Sequence, residues 1–216
     1  MALNINGTTG ISGVDGSVSA PAVTGTDSNT GITFPSADTI KFATGGVERM
    51  SITNSGVSGI TAGITMADEW RVTSSFSGTS QYVTANWERN DTQFAQIGTG
   101  MTESSGVFTF PSTGIYLVQF TANAYITASG DSRYVGCSIF ATSDNSNYNR
   151  RSTSYDSAYS RSANVASSSS TQMIFDCTDT SNDKVKFFIE SEISATFETS
   201  TNDNRTFVTF IRLGDT

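Results

Sequence analysis

The 216-residue chain contains no histidine, which removes Ser-His and Cys-His nucleophile pairs and most zinc sites together. Acid–base work would then fall to carboxylates, as in glycoside hydrolysis, and Glu190 and Glu192 share one face of the strand-like run "KVKFFIESE". Two carboxylates on an exposed face read as solvation or subunit pairing, so no catalytic residue is expected. Asp176, Asp179 and Asp183 in "DCTDTSND" are an oxygen-rich set, yet their spacing does not match the twelve-residue calcium loop. A polar turn is the plainer reading, and no metal or cofactor is expected. The chemistry that remains is recognition. In "SDNSNYNRRSTSYDSAYSRSANVASSSS", residues 143–170, Tyr148, Tyr155 and Tyr159 stand among Arg150, Arg151 and Arg161 in a bed of Ser and Asn. Tyrosine supplies contact area at low entropic cost and small polar residues supply hydrogen bonds, while rings and guanidinium groups suit sugars and acidic glycans. The stretch reads as a receptor-binding loop; the blander alternatives are a solvated connection or tyrosines at a subunit seam.

The elements that must position these residues are strands. Hydrophobic residues make up 36% of the chain and charged residues 15%, with Ser, Thr, Gly and Asn filling the difference, and no sustained helical periodicity occurs. Strand candidates include "EWRVTSSF", "QYVTANWER", "TQFAQIG", "GVFTF", "GIYLVQFTANAYI", "RYVGCSIFA", "STQMIFDC", "KVKFFIESEISATF" and "NRTFVTFIRL". The expectation is an all-β protein with an antiparallel sandwich or barrel over residues 67–216. Several strands are apolar on both faces: Ile115 and Leu117 alternate with Tyr116, Val118 and Phe120, and Phe187 and Ile189 oppose Phe188. One face fills the sandwich and the second needs cover. Another subunit is the economical cover, with Tyr116, Val118, Phe120, Phe188, Phe207 and Phe210 as interface candidates.

A net charge of −8 and only three lysines argue against tracking phosphates, so no nucleic acid is expected. No apolar run approaches the ~18 residues of a membrane span, and no secretion signal is legible, so a chain made in the cytoplasm without membrane insertion is expected. Cys137 and Cys177 read as buried thiols rather than a bridge. Residues 1–36 are rich in glycine with scattered apolar residues and read as an extended arm that orders on a partner. Residues 37–66 begin with a hairpin, "ADTIKFATGGVERMSITNSG". A three-residue Gly45-Gly46-Val47 loop pairs Ile40 with Ile52 and Phe42 with Met50, gathering four apolar side chains for packing and sending Lys41, Ala43, Arg49 and Ser51 to the other side. An isolated ribbon is marginal in water, so the hairpin needs a neighbour.

At "GTGMTESSGVFTFPSTGIYLVQFTANA" the chain resembles the C1q and tumour-necrosis-factor-like jelly-roll family, through Phe108 and Phe110, then Pro111, Gly114 and Tyr116, with "RTFVTFIRLGD" similar to that family's last strand. The resemblance implies a ten-stranded sandwich that associates as a homotrimer. The first 60 residues resemble a leader on structural and tail-fibre proteins of marine and cyanobacterial bacteriophages. That implies a virion surface protein whose arm binds other virion proteins through residues 1–60, with the jelly-roll head as a short tail fibre touching a host glycan or protein. Capsid decoration is the alternative role, and a polysaccharide depolymerase a third.

Overall fold

In the computed structural model, the described residues are 4–6, 10–12, 15–60, 63–92, 94, 96–127, 130–159 and 163–216. Arg161 lies outside them. The described residues form strands and turns only, as the all-β expectation required. The chain divides into two compact units, residues 1–63 and 64–216.

The first unit carries β1 (Asn4–Asn6), β2 (Gly10–Ser12), β3 (Gly16–Ser17), β4 (Ala20–Pro21), β5 (Val23–Thr24), β6 (Gly31–Thr33), β7 (Ile40–Thr44), β8 (Val47–Thr53) and β9 (Gly56–Ser58). Strands β5 to β9 make one antiparallel five-stranded sheet in sequence order, so much of the expected arm is folded onto the hairpin. The neighbours that the hairpin needed are β6 and β9. Ile40 pairs with Ile52 and Phe42 with Met50, as the alternation required. The loop differs: Thr44 pairs with Val47 across a two-residue Gly45-Gly46 turn, and a bulge at Arg49 restores the register. Both glycines have positive φ, 61° and 74°, the type I′ geometry that matches strand twist and that only glycine adopts cheaply. The packing face is also inverted. Ala43, Ser51 and Thr33 are buried, whereas Ile40 and Ile52 are exposed and Phe42 and Met50 half-buried. On this side the polar groups are satisfied locally: the Thr33 hydroxyl donates to the Asp15 carbonyl at 2.7 Å, Ser51 Oγ lies 2.7 Å from Ser58 Oγ of β9, and the Gly46 amide donates to the Asn29 carbonyl at 2.9 Å.

The second unit, here called the head, contains β10 (Ala67–Val72), β11 (Phe76–Tyr82), β12 (Trp87–Arg89), β13 (Gln96–Ile97), β14 (Thr102–Ser104), β15 (Val107–Thr109), β16 (Gly114–Ile126), β17 (Asp131–Thr142), β18 (Asn149–Tyr159), β19 (Val165–Cys177), β20 (Lys184–Phe197) and β21 (Phe207–Gly214). One layer runs β10–β21–β16–β19 and the other β11–β20–β17–β18; they join where Ala124 and Tyr125 of β16 pair with Phe197 and Thr196. "QYVTANWER" is broken in two at Asn86, which sits at φ 62°, and "TQFAQIG" contributes only the short β13. The largest departure is residues 143–170: the expected loop is mostly the 11-residue strand β18 and the start of β19.

Between the layers lie the even positions of β16 (Tyr116, Val118, Phe120) and the inward residues of β17, β20 and β21, all buried. Phe187 centres this core, with ring centroids 5.0–6.0 Å from Phe120, Phe108, Trp87 and Phe210. Alternation therefore separated the two faces of β16 correctly but assigned the wrong one to an interface, and on β21 the expected pair Phe207 and Phe210 falls on opposite faces. Tyr116, Val118, Phe120 and Phe210 have no accessible surface within one chain and cannot meet a partner. Cys137 and Cys177 are free and buried; burial pushes their thiols up, Cys137 to about 11 and Cys177 to about 12.

One end of the head is tied by a buried carboxylate. Asp68 accepts from the Glu69 and Met101 amides at 2.9 and 2.7 Å, from Trp70 Nε1 at 2.9 Å, and from Arg89 Nε and Nη2 at 2.9 and 3.1 Å. A buried charge is tolerable only when so fully paired.

Candidate recognition site

Strand β18 lies at the edge of its layer and, among the described residues, pairs in the backbone ladder with β17 alone. Its register with β17 breaks twice, between Ser132 and Val135 of β17 and near the start of β18, where Arg150 opposes Phe140 and Ser152 opposes Ile139, leaving Arg151 as the extra residue. A bulge shifts the period-2 alternation by one, so Arg150, Thr153 and Tyr155 all point to the outer face. They meet Phe140, Ser138 and Gly136 of β17 there, and beyond these Lys186, Phe188 and Glu190 of β20.

These side chains form a continuous aromatic and charged strip. Tyr82, Phe140 and Phe188 pack with ring centroids 5.1–5.6 Å apart. The Arg150 guanidinium lies 5.4 Å from the Phe140 ring, and Lys186 Nζ 3.9 Å from the Tyr148 ring, both within cation–π range. Arg150 Nη1 then reaches Glu190 Oε1 at 2.9 Å and the Tyr155 hydroxyl at 3.0 Å, and that hydroxyl donates to Glu190 Oε1 at 2.8 Å. Burial opposes the Arg150 charge, but the Glu190 carboxylate and the Tyr155 hydroxyl more than offset it and raise its pKa. Burial pushes the Tyr148 phenol up, and the charge of Asp144 adds to it.

The Tyr155 ring crosses the backbone of Gly136. A Cβ at that position would lie 2.4 Å from Tyr155 Cδ1, so glycine is required for the ring to lie flat. Tyr134 stands nearly perpendicular to it, at 5.8 Å and 77°. With Glu190 the two rings line a cavity of about 260 Å³.

The six residues expected to bind a receptor are thus only partly gathered. Tyr148, Arg150 and Tyr155 share the strip; Arg151 is the exposed bulge residue, Tyr159 is exposed at the end of β18, and Arg161 falls outside the described residues. Phe188, expected at a subunit interface, belongs to the strip as well. Sequence reasoning missed Tyr134, Gly136, Lys186 and Glu190 as members, because cross-strand partners become visible only once the register is known. Glu190 and Glu192 are each ion-paired, to Arg150 and to Arg133. Asp183 accepts the Thr178 and Asp179 amides, and Asp179 the Ser181 amide and the Asn182 side chain, so these carboxylates cap a turn. No cluster among the described residues could hold a metal ion.

No protein-family model matches the chain, and no curated protein matches it in sequence. Solved structures do. The chain is similar to murine APRIL at pH 5.0, with a TM-score of 0.52 and 15% identity over 68% of this chain and 98% of that one. It is also similar to Eiger TNF from S. frugiperda, with a TM-score of 0.52 and 13% identity over 71% and 96%. The fold is a tumour-necrosis-factor-like jelly roll. On this jelly roll the layer opposite the strip also has a partly open outer face. Ala67, Ile211, Leu117 and Ile174 stand in one row across β10, β21, β16 and β19; Ile174 is 61% exposed and Leu213 nearby 55%. Phe207 lies on this face too, half-buried opposite Thr121 and Arg71.

Proposed function

We propose that the protein is a structural projection of a virion, a homotrimer that attaches through its first unit and presents the jelly-roll head to a host surface. The observation that carries this reading is that each unit leaves an apolar sheet face open on a single chain. In the head it is the row of Ile211, Leu117 and Ile174. In the first unit, Val23, Ile32, Phe42 and Met50 stand in register across four strands, and Ile40, Ile52 and Val57 across three; Val23, Ile40, Ile52 and Val57 are exposed. Open apolar area on this scale marks contact with other chains. The leader's resemblance to bacteriophage fibre proteins supports the virion setting, and the strip on the other layer supports a recognition role, since three copies would make weak contacts additive. Gold-labelled antibodies against the head, applied to purified particles, should decorate the particle surface; particles without label and without the chain would refute the reading.

A further inference from the structure

We infer that the cavity between Tyr134, Tyr155 and Glu190 is a binding site for one neutral sugar ring. The inference rests on the strip being the head's recognition surface and names what that surface holds.

Three features indicate a built site. Tyr155 is 49% exposed, yet its hydroxyl is held by Arg150 and Glu190 and its ring is seated on Gly136. An ordinary surface tyrosine samples several rotamers, whereas this one is fixed before any ligand arrives, which cuts the ordering cost of binding. The Tyr134 and Tyr155 rings form a corner, offering a flat face and an edge to one small body. Finally, Arg150, Tyr155 and Ser138 all contact Glu190 at Oε1. Among the described residues Oε2 accepts no hydrogen bond, and the Glu190 side chain lines the cavity.

Charge selects the ligand. The open carboxylate oxygen repels an anion and seeks a donor. A cation is disfavoured because Arg150, 2.9 Å from Glu190, already supplies the positive charge, and a second one would sit beside it. What remains is an uncharged molecule with O–H donors and a face of C–H groups, whose weakly positive hydrogens suit the negative face of a tyrosine ring. A pyranose has both. A cavity of about 260 Å³ falls below the ~300–1,000 Å³ of drug-sized sites, so it takes one ring of a longer glycan.

Saturation-transfer NMR on the full chain tests this with the methyl glycosides of glucose, galactose, mannose, rhamnose and N-acetylglucosamine, alongside methyl glucuronide and tetramethylammonium. At least one neutral glycoside should receive saturation, falling at least tenfold in Tyr155→Ala and in Gly136→Ala and persisting in Arg205→Ala, whose side chain pairs with Asp203 and Glu198 away from the strip, with circular dichroism checking that each variant is folded. No transfer to any neutral glycoside, transfer only to the glucuronide or the ammonium ion, or a signal indifferent to Tyr155→Ala would overturn it. Adhesion of the same chains to host cells separates the two levels. Adhesion that depends on Tyr155 without glycoside binding removes the sugar and keeps the recognition surface. Glycoside binding without adhesion keeps the sugar site and removes the attachment role.

Discussion

Replacing Asp68 with alanine should be among the most damaging single changes in the head. The carboxylate is fully buried and takes five hydrogen bonds, two from backbone amides, one from Trp70 Nε1 and two from Arg89. Removing it strands the buried Met101 amide and the Trp70 N–H, and deprives Arg89 of its counter-charge. Arg89 keeps some hydration, with a third of its side chain exposed, and still donates to the Met101 carbonyl, so the loss should sit within the usual range for breaking a buried pair, about 3–5 kcal/mol. For a unit of this size that lowers the melting midpoint by roughly 6–20 °C. The assay is urea unfolding followed by tryptophan fluorescence, since Trp70 bonds directly to Asp68. Arg133→Ala is the control: its ion pair with Glu192 is as short, 2.6 Å, but Arg133 is 79% exposed, and the midpoint should not move. A change below about 1 kcal/mol in Asp68→Ala would refute the reading of this cluster as a buried tie.

Phe187→Ala opens a void where Phe108, Phe120, Phe210 and Trp87 converge and should cost about 3–5 kcal/mol in the same assay. The Cys137 thiol, raised by burial from 9.0 to about 11, stays protonated in the folded chain while the unfolded one ionises. Its contribution is therefore complete below pH 9 and lost as pH rises toward 11, by an amount approaching ~2–3 kcal/mol; Cys137→Ala should flatten that alkaline slope in pH-dependent denaturation. Ile174→Lys alters a side chain 61% exposed on one chain, so it should leave a single head folded by circular dichroism while splitting the assembly on a sizing column.

How far the sequence could be read follows from one property of strands. Period-2 alternation sorts residues into two faces, and it did so correctly for Tyr116 against Leu117, Phe187 against Phe188, and Phe42 against Ala43. Which face is the core depends on what lies across from it, and here both faces are apolar. The larger rings of β16 turned inward and the smaller Leu117 and Ile115 outward, the reverse of the expected interface, while in the hairpin Ala43 and Ser51 are buried and Ile40 and Ile52 exposed. The candidate recognition residues illustrate the same point. Tyr148, Arg150 and Tyr155 stood out by composition, but their Ser-rich surroundings read as a loop, and the Arg151 bulge that puts Arg150 and Tyr155 on one face has no local signature. Glu190, Gly136 and Tyr134 join them only through cross-strand register.

On the proposed reading, one chain leaves too much apolar sheet uncovered to remain alone. Sedimentation equilibrium on the purified full chain at micromolar concentration measures this directly. The expected mass is three times that of the 22.9 kDa chain, holding on dilution. A stable single-chain mass with both units folded would contradict it.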